Sequence, residues 1–295
     1  MRPKRRFGQN FLTGSHYPSR IVAALAPRPG EALLEIGPGE GALTRLLLDA
    51  GATLTAIEID PDLIPLLEER FGANPHLRLL RADILALDPR PLYPTGQPVR
   101  VVANLPYYIS TAVLQHLLAY RQTFGEMVLM LQREVVDRIV APPGSRTYGY
   151  LSVLVQLFCQ VEALFDVPPG AFRPIPKVHS TVLRLRIRTE PAVPIADPQS
   201  FLLLCQVLFS QRRKTLANNL RAGLTRLGLS TEAGGALTAS LPAIGIDGQR
   251  RAETLSLPEL AALHAVVLRE ADHPIPESDP ATSSRSRSIQ SKQDA

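Results

Sequence analysis

Short apolar runs and amphipathic segments alternate along the chain between about residues 18 and 188. Seven runs rich in Val, Ile and Leu predict strands. The segments that separate the early strands repeat apolar residues at the spacing of a helix. The predicted strands are ALLEIG, TLTAIEI, LRLLRAD, VRVVAN, GEMVLMLQ, ALFDVP and STVLRLRI. Because strands that alternate with helices usually pair in parallel, the pattern predicts an α/β fold with a mostly parallel sheet of seven strands.

The pattern changes near residue 192. The segment RTEPAVPIADPQS is rich in proline and weakly periodic, which is typical of a boundary between domains. Beyond it, FLLLCQVLFSQRRKTLANNLRAGLTRLG and SLPELAALHAVVLREA predict helices with no strand between them. We therefore expect an α/β domain at 1–192, a small all-helical domain at 193–270, and a polar tail at 271–295 whose composition predicts disorder.

Charge and cysteine content narrow the class of protein. With 32 Lys and Arg against 27 Asp and Glu, the chain carries a net charge of +5, which favours a polyanionic partner. The two cysteines, Cys159 and Cys205, lie in apolar contexts without the spacing of metal ligands, so we expect reduced core residues, no bound metal and a cytoplasmic protein. No apolar run approaches the roughly 18 residues that cross a bilayer, so no membrane partner is expected.

Candidate binding residues follow the first three strands of the predicted sheet. EIGPGEGALT has a G-x-G-x-G spacing, tighter than the G-x-G-x-x-G loop that seats a dinucleotide pyrophosphate, and it includes Gly37. Glu58 follows about 20 residues later, where a carboxylate can accept both hydroxyls of a ribose. Asp83 ends the third strand, where it can accept from an adenine amino group. The three predict an adenosine-containing ligand; both NAD and S-adenosylmethionine qualify, and the loop favours the latter.

The fourth strand runs into NLPYYIS, which decides between these ligands. Residues 104–107 match [DNS]-[PILV]-P-[YFW], a pattern of enzymes that methylate exocyclic amines. The Asn104 side-chain carbonyl and the Leu105 main-chain carbonyl can accept the two N–H groups of such an amine and stabilise the positive charge that develops during methyl transfer. Pro106 stiffens the turn, and Tyr107 offers a face for a flipped base. The motif favours S-adenosylmethionine and an amine substrate.

Together the motifs resemble those of the ribosomal RNA adenine dimethyltransferases that act on small-subunit rRNA. The resemblance covers about residues 4–260 and also includes RFGQNFL, LMLQREVVDRIVA, YGYLSVLVQ, VPPGAFRPIPKVHSTVLRL, QRRKTLANNL and GIDGQRRAETLSLPEL. It implies a Rossmann-like class I methyltransferase sheet and S-adenosyl-L-methionine as cofactor. It also implies dimethylation of N6 on two adjacent adenines, in a hairpin near the 3′ end of 16S rRNA, with a role in 30S subunit biogenesis.

The resemblance also implies roles for individual residues. The residues expected to bind the cofactor are Asn10, Leu12, Gly37, Glu58, Asp83 and Asn104. The residues expected to hold the target adenine are Asn104, Leu105, Tyr107 and Phe172. Of these, Tyr107 and Phe172 would form two aromatic walls around the base. Two positions depart from the family pattern: Tyr108 stands where Asn is usual, and His179 where Asp is common.

A basic segment, QRRKTLANNLR, is expected to contact RNA through Arg213, Lys214 and Arg221. Read as one helix, it would spread residues 212–214 over about 200°, too wide for one row of phosphates. Two other functions remain open at this point: methylation of large-subunit rRNA, and a ribosome-assembly factor that binds subunits without turnover. We expect the protein to be a monomer.

Overall fold

The structure, a computed structural model, describes residues 9–94 and 96–271. The strands are β1 (Phe11–Leu12), β2 (Ala32–Ile36), β3 (Thr53–Glu58), β4 (Leu77–Arg81), β5 (Val99–Asn104), β6 (Phe124–Gln132), β7 (Cys159–Val167), β8 (Phe172–Arg173) and β9 (Ser180–Ile187). The helices are α1 (His16–Leu25), α2 (Ala42–Asp49), α3 (Ile64–Phe71), α4 (Ser110–Ala119), α5 (Arg133–Val140), α6 (Tyr150–Phe158), α7 (Pro198–Leu208), α8 (Leu216–Gly223), α9 (Thr231–Ser240) and α10 (Leu257–Ala271).

Seven strands form one sheet in the order β4-β3-β2-β5-β6-β9-β7. The five strands from β4 to β6 are parallel, and β9 runs antiparallel to both of its neighbours. This confirms the predicted α/β fold with a mostly parallel sheet. The chain moves outward in one direction from β2 and returns to the other side of it at β5, so the strand order reverses there. In open α/β sheets such a reversal leaves a crevice at the carboxyl ends of the two strands.

Both faces of the sheet are buried, which explains the continuous apolar runs in the sequence. Adjacent residues Leu33 and Leu34 of β2 are both fully buried, but they belong to different hydrophobic clusters. Leu33 packs in the cluster that contains α1 and α2, whereas Leu34 packs in the cluster that contains α4. Because successive side chains of a strand point to opposite faces, a strand covered on both sides has no polar face.

The helices after residue 197 share a continuous core with the sheet. Phe201 and Leu263 belong to the same buried cluster as Leu183 of β9. The carboxylate of Asp197 accepts from the backbone N–H groups of residues 199 and 200 and caps α7, so the proline-rich segment ends at a helix start. A domain boundary near residue 192 stays a prediction. The predicted tail, apart from Ala271, lies outside the described residues.

The basic segment is not one helix, which corrects the expectation for residues 212–214. Helix α7 ends at Leu208 and α8 begins at Leu216, with the Thr215 hydroxyl accepting from a backbone N–H as its cap. The buried Asn219 side chain donates to the carbonyls of Leu208 and Gln211, which holds the intervening turn. Residues 212–214 therefore lie in a turn, and the expected spread of about 200° around a helix axis does not describe them. No helix among residues 9–94 and 96–271 is long and apolar enough to cross a membrane.

Candidate active site

A cleft of about 1080 Å³, including its open mouth, lies where β2 and β5 run side by side. The loops after β2, β3, β4 and β5 line it, together with residues 9–12 of the N-terminal segment. All six residues that the sequence assigned to the cofactor line this cleft: Asn10, Leu12, Gly37, Glu58, Asp83 and Asn104. Leu105 and Tyr107 line it as well, so three of the four residues expected to hold the adenine, with Asn104 as the third, share one space with the expected cofactor residues.

The glycine loop between β2 and α2 needs its glycines. Gly37 and Gly39 have φ values of 65° and 61°, in the left-handed region that L side chains rarely adopt. A Cβ added to Gly39 would lie 3.0 Å from two ring atoms of Phe11, so the N-terminal segment packs directly on the loop. This contact makes the N-terminal segment one wall of the cleft.

Glu58 lies at the end of β3 and is only 5% exposed. Its two carboxylate oxygens accept from the backbone N–H groups of Gly39, at 3.1 Å, and Asp60, at 2.8 Å. Burial raises the pKa of Glu58 above its ordinary value, while these backbone hydrogen bonds act in the opposite direction. Asp60 in turn accepts from the Gln9 side chain at 2.8 Å. The carboxylate thus ties the glycine loop to the loop after β3 and fixes the shape of the cleft.

Glu35 is a second acidic residue of the cleft, and the sequence reasoning missed it. It is 1% exposed, lines the cleft, and accepts from the Thr44 hydroxyl at 2.7 Å. Burial raises the pKa of Glu35 to about 7, and the nearby charge of Glu58 adds to the effect. The sequence did contain a sign of this residue, because Glu35 is the penultimate residue of an otherwise apolar strand, where burial of a charge is costly.

Apolar side chains flank the carboxylates. Ile59, directly after Glu58, is 43% exposed and lines the cleft, and Ile84 lines it beside Asp83. Asp83 accepts from the backbone N–H of Leu85 at 2.9 Å, which shapes the turn after β4. These apolar and acidic groups together can take a ligand with a flat ring and polar edges.

The turn after β5 carries the sequence motif of residues 104–107. The side-chain amide of Asn104 donates to the carbonyl of Asn10 at 3.1 Å, so the N-terminal segment holds its nitrogen. Among the described residues no donor binds the Asn104 side-chain oxygen, which therefore remains an acceptor for a ligand. The Leu105 N–H donates to the carbonyl of Met130 at 3.3 Å, and the hydroxyl of Ser110 donates to the carbonyl of Tyr107 at 3.1 Å. These bonds hold the turn from both sides.

Tyr107 is half-buried at the edge of the cleft. Its hydroxyl makes a 2.7 Å hydrogen bond with the hydroxyl of Ser180, the first residue of β9, which is fully buried. Burial raises the pKa of Tyr107 above its ordinary value. The far end of the ring is thus fixed to the sheet, and sequence reasoning gave no sign of this contact.

Phe172, which is expected to form a second aromatic wall around the target adenine, does not line the cleft. It is 2% exposed and packs in the cluster that contains Val167 and Val182. The reason is a short ribbon that the sequence did not predict: β8 pairs with β1, with Phe172 opposite Leu12. In that strand Phe172 points inward and the exposed Arg173 points outward. Phe11, Tyr107 and Tyr108 contribute aromatic side chains to the lining of the cleft, and a role of Phe172 toward adenine stays a prediction.

The expected RNA contacts lie away from the lining of the cleft. Arg213 and Lys214 are exposed in the turn between α7 and α8, and Arg221 is exposed on α8. Neighbouring Arg212 is held by the carbonyl of Arg146 and, at 3.2 Å, by the carboxylate of Glu253. Arg212 is therefore a structural residue, and the three predicted residues remain available to a ligand.

The sequence matches a known protein family and is similar to several ribosomal RNA methyltransferases. The family model for ribosomal RNA adenine dimethylase matches residues 1–234. A ribosomal RNA small subunit methyltransferase A from Hahella chejuensis is 42% identical over 272 residues, covering 92% of this chain and 94% of that protein. Its counterpart from Pseudomonas aeruginosa is 48% identical over 220 residues, covering 75% of this chain and 82% of that protein.

Solved structures agree with the sequence comparison. A dimethyladenosine transferase from Plasmodium falciparum has a TM-score of 0.73 at 23% identity, covering 88% of this chain and 98% of that chain, which shows a common fold. The 23S rRNA methyltransferase ErmE has a TM-score of 0.65 at 27% identity, covering 88% of this chain and 99% of that chain. The family match spans most of the chain and includes every residue placed in the cleft. The chain therefore belongs to the ribosomal RNA adenine dimethylase family.

Proposed function

We propose that this chain transfers methyl groups from S-adenosyl-L-methionine to N6 of two adjacent adenines in a hairpin near the 3′ end of 16S rRNA, two methyls to each. Relatives that are 42% and 48% identical carry the name of a small-subunit rRNA methyltransferase. One observation carries the chemical part of the proposal. Asn104 lines the cleft together with the expected cofactor residues and Tyr107. Its side-chain nitrogen donates to the carbonyl of Asn10, so its side-chain oxygen is left to accept from an amine.

The residues of the cleft fit S-adenosylmethionine. Glu58 would accept from the ribose hydroxyls and Asp83 from the adenine amino group, with Ile59 and Ile84 as apolar contacts on the ring. Gly37 leaves open space beside the loop, since a Cβ there would meet no atom within 4 Å, and Asn10 would contact the methionine end. When bound, this cofactor supplies an electrophilic methyl group next to the turn after β5.

The chain's own contribution is to hold the amine. The oxygen of Asn104 and the carbonyl of Leu105 accept the two N–H groups of adenine N6, which keeps the nitrogen lone pair out of the ring. Because the acceptors are already fixed by the hydrogen bonds of the turn, they stabilise the developing positive charge without reorganising. Tyr107 stacks on the flipped base, a contact worth about 1–3 kcal/mol for bases on aromatic side chains. Arg213, Lys214 and Arg221 bind phosphates at a distance from the reaction.

Two other functions compete with this one. ErmE, a 23S rRNA methyltransferase by name, shares the fold at 27% identity, so methylation of large-subunit rRNA is the nearest alternative. The small-subunit names of the more similar relatives favour the first proposal. A subunit-binding assembly factor could coexist with the enzyme. We further propose a cytoplasmic monomer with a helical RNA-binding domain after residue 192.

The test is to incubate labelled S-adenosylmethionine with unmethylated small subunits and, separately, with large subunits, and then to analyse the nucleosides. We expect N6,N6-dimethyladenosine from the small subunit only. The variant Asn104→Ala is the control, and it should lose methyl transfer while it still binds subunits. Product from the large subunit alone would overturn the substrate assignment. Loss of both methylation and binding in the variant would contradict the local role of Asn104.

A further inference from the structure

Exposed apolar side chains concentrate around the cleft. Among the described residues, five large apolar side chains are strongly exposed, and Ile59 and Tyr108, at 43% and 60%, line the cleft itself. Two others, Ile175 and Val178, at 72% and 42%, lie in residues 173–179, which we call the rim loop. The fifth, Val140, ends α5 and is 42% exposed. Exposed apolar surface gathered at one site indicates a surface that contacts a ligand.

Both ends of the rim loop are fixed to walls of the cleft. At its start, β8 pairs with β1, whose residues Phe11 and Leu12 line the cleft. At its end, Ser180 makes the hydrogen bond to Tyr107. The carbonyl of His179 also accepts from the backbone N–H of Arg133 at 3.0 Å, which fixes the loop to α5. The exposed residues of the loop therefore border the place where a target base would enter.

The rim loop is also positively charged. Arg173 and Lys177 are exposed, and neither is paired with a carboxylate in the described part of the chain. The sequence contains no Asp or Glu from residue 168 to residue 189. Unneutralised cations next to exposed apolar side chains suit a partner that offers both phosphates and flat apolar faces. Unpaired RNA offers both, whereas the bases of a duplex are stacked and show only their edges.

We propose that the rim loop and Tyr108 bind the unpaired nucleotides next to the target adenine. Arg173 and Lys177 bind phosphates of that strand, and Ile175, Val178 and Tyr108 contact its base faces. The inference rests on the proposed function, because it assumes that an RNA adenine enters the cleft beside Tyr107. It gives Tyr108, which departs from the family pattern, a place on the RNA-binding surface.

Two double variants test the surface, each with a matched control. Ile175→Ser with Val178→Ser removes the apolar part, and Val140→Ser is its control because Val140 has the same exposure as Val178. Arg173→Gln with Lys177→Gln removes the charge. Its control is Arg78→Gln, on the edge strand β4 at the far side of the sheet.

The measurements are kcat/KM with small subunits, equilibrium binding of S-adenosylmethionine, and binding to protein-free small-subunit rRNA over a range of salt. The apolar rim variant should lower kcat/KM about tenfold, which is within the range for one lost base contact. The charge variant should also lower kcat/KM, because it loses two phosphate contacts, and both variants should leave cofactor binding unchanged. The charge variant should also reduce the slope of log RNA affinity against log salt concentration by about 1.4, since each of the two phosphate contacts to a single strand contributes about 0.7 to that slope. Both controls should match the wild type.

The outcomes separate this inference from the proposed function. Rim variants with wild-type kcat/KM and RNA affinity would overturn the inference while leaving the enzyme assignment intact. A loss with intact subunits but not with protein-free rRNA would show that the loop contacts a ribosomal protein, which also overturns it. If the wild type made no dimethyladenosine, the proposed function would fail, and the RNA-binding measurements would still decide whether the loop binds RNA.

Discussion

The hydrogen bond between Tyr107 and Ser180 should matter for catalysis as well as for stability. Ser180 is fully buried and the two hydroxyl oxygens lie 2.7 Å apart, so Ser180→Ala removes the only described partner of the tyrosine hydroxyl. Tyr107 is half-buried and water can replace part of the bond, so we expect a stability loss of about 1 kcal/mol. Tyr107→Phe leaves the buried serine hydroxyl unpaired and should cost about 1–3 kcal/mol. The double variant, which removes both partners, should be less destabilised than the sum.

The catalytic effect follows from the position of the ring. A loosened ring stacks less well on the target adenine, so Ser180→Ala should lower kcat by about fivefold to tenfold, corresponding to part of one stacking contact. The affinity for S-adenosylmethionine should not change. The assay is a double-mutant cycle on kcat and on urea unfolding, with Ser180→Ala, Tyr107→Phe and the double variant.

A second buried serine supplies the control. Ser152 is also fully buried and donates to the carbonyl of Arg138, outside the lining of the cleft. Because the Ser152 hydroxyl also accepts from the backbone N–H of Gly149 at 3.0 Å, Ser152→Ala should lose at least as much stability as Ser180→Ala and keep wild-type kcat. The reasoning is refuted if Ser180→Ala lowers kcat by the same factor in the wild type and in Tyr107→Phe, because the two residues would then act independently.

Three further predictions concern the cleft and the basic turn. Gly39→Ala should weaken the binding of S-adenosylmethionine and lower the free energy of unfolding by about 1–2 kcal/mol, because φ at this position is 61° and the new Cβ would lie 3.0 Å from the Phe11 ring. Calorimetry measures the binding, and an unchanged dissociation constant would contradict the prediction. Glu35 has a folded-state pKa of about 7 against 4.5 unfolded, so the folded chain keeps a proton that the unfolded chain has lost, and stability falls as pH rises through that window. Glu35→Gln should remove up to about 3 kcal/mol of this pH-dependent loss of stability. Urea unfolding at pH values below and above the two pKa values measures the loss, and equal pH dependence in the variant and the wild type would count against a buried, protonated Glu35. Arg213→Gln with Lys214→Gln should reduce the slope of log affinity for rRNA against log salt concentration by about 1 to 2 and leave cofactor binding unchanged. An unaltered slope would exclude phosphate contacts at these two residues.

The strands and the residues that line the cleft were predictable because local rules govern them. The inner strands β2, β3, β5, β6 and β9 contribute side chains to both hydrophobic clusters, so their apolar runs are visible in the sequence. Gly37, Glu58 and Asp83 each lie at or just beyond the end of a strand, and the carboxyl ends of parallel strands meet at one edge of a sheet. Their convergence on one cleft therefore follows from the order of the elements alone.

The contacts that the sequence did not reveal join distant parts of the chain. The β1 and β8 ribbon has two residues in each strand, too few for any periodicity, yet it pairs Leu12 with Phe172 and places Phe172 in the core. The bond from Tyr107 to Ser180 spans 73 positions. Such pairs depend on how the elements pack, and no local pattern encodes them.

The helix expected across residues 212–214 fails for a different reason. Arg and Lys are good helix formers, so local propensity supports a helix there. The Thr215 cap and the two hydrogen bonds from Asn219 to carbonyls of the turn favour a break instead. Tertiary hydrogen bonds thus override the propensity of the basic residues and leave Arg213 and Lys214 on an exposed turn.

The central claim is that this cleft dimethylates two adjacent adenines of small-subunit rRNA. The most direct measurement is mass spectrometry of the 3′-terminal fragment of 16S rRNA after unmethylated small subunits react with the enzyme and S-adenosylmethionine. The account predicts two neighbouring N6,N6-dimethyladenosines with the wild type and none with Asn104→Ala. An unmodified fragment with the wild type, or equal modification with the variant, would contradict it.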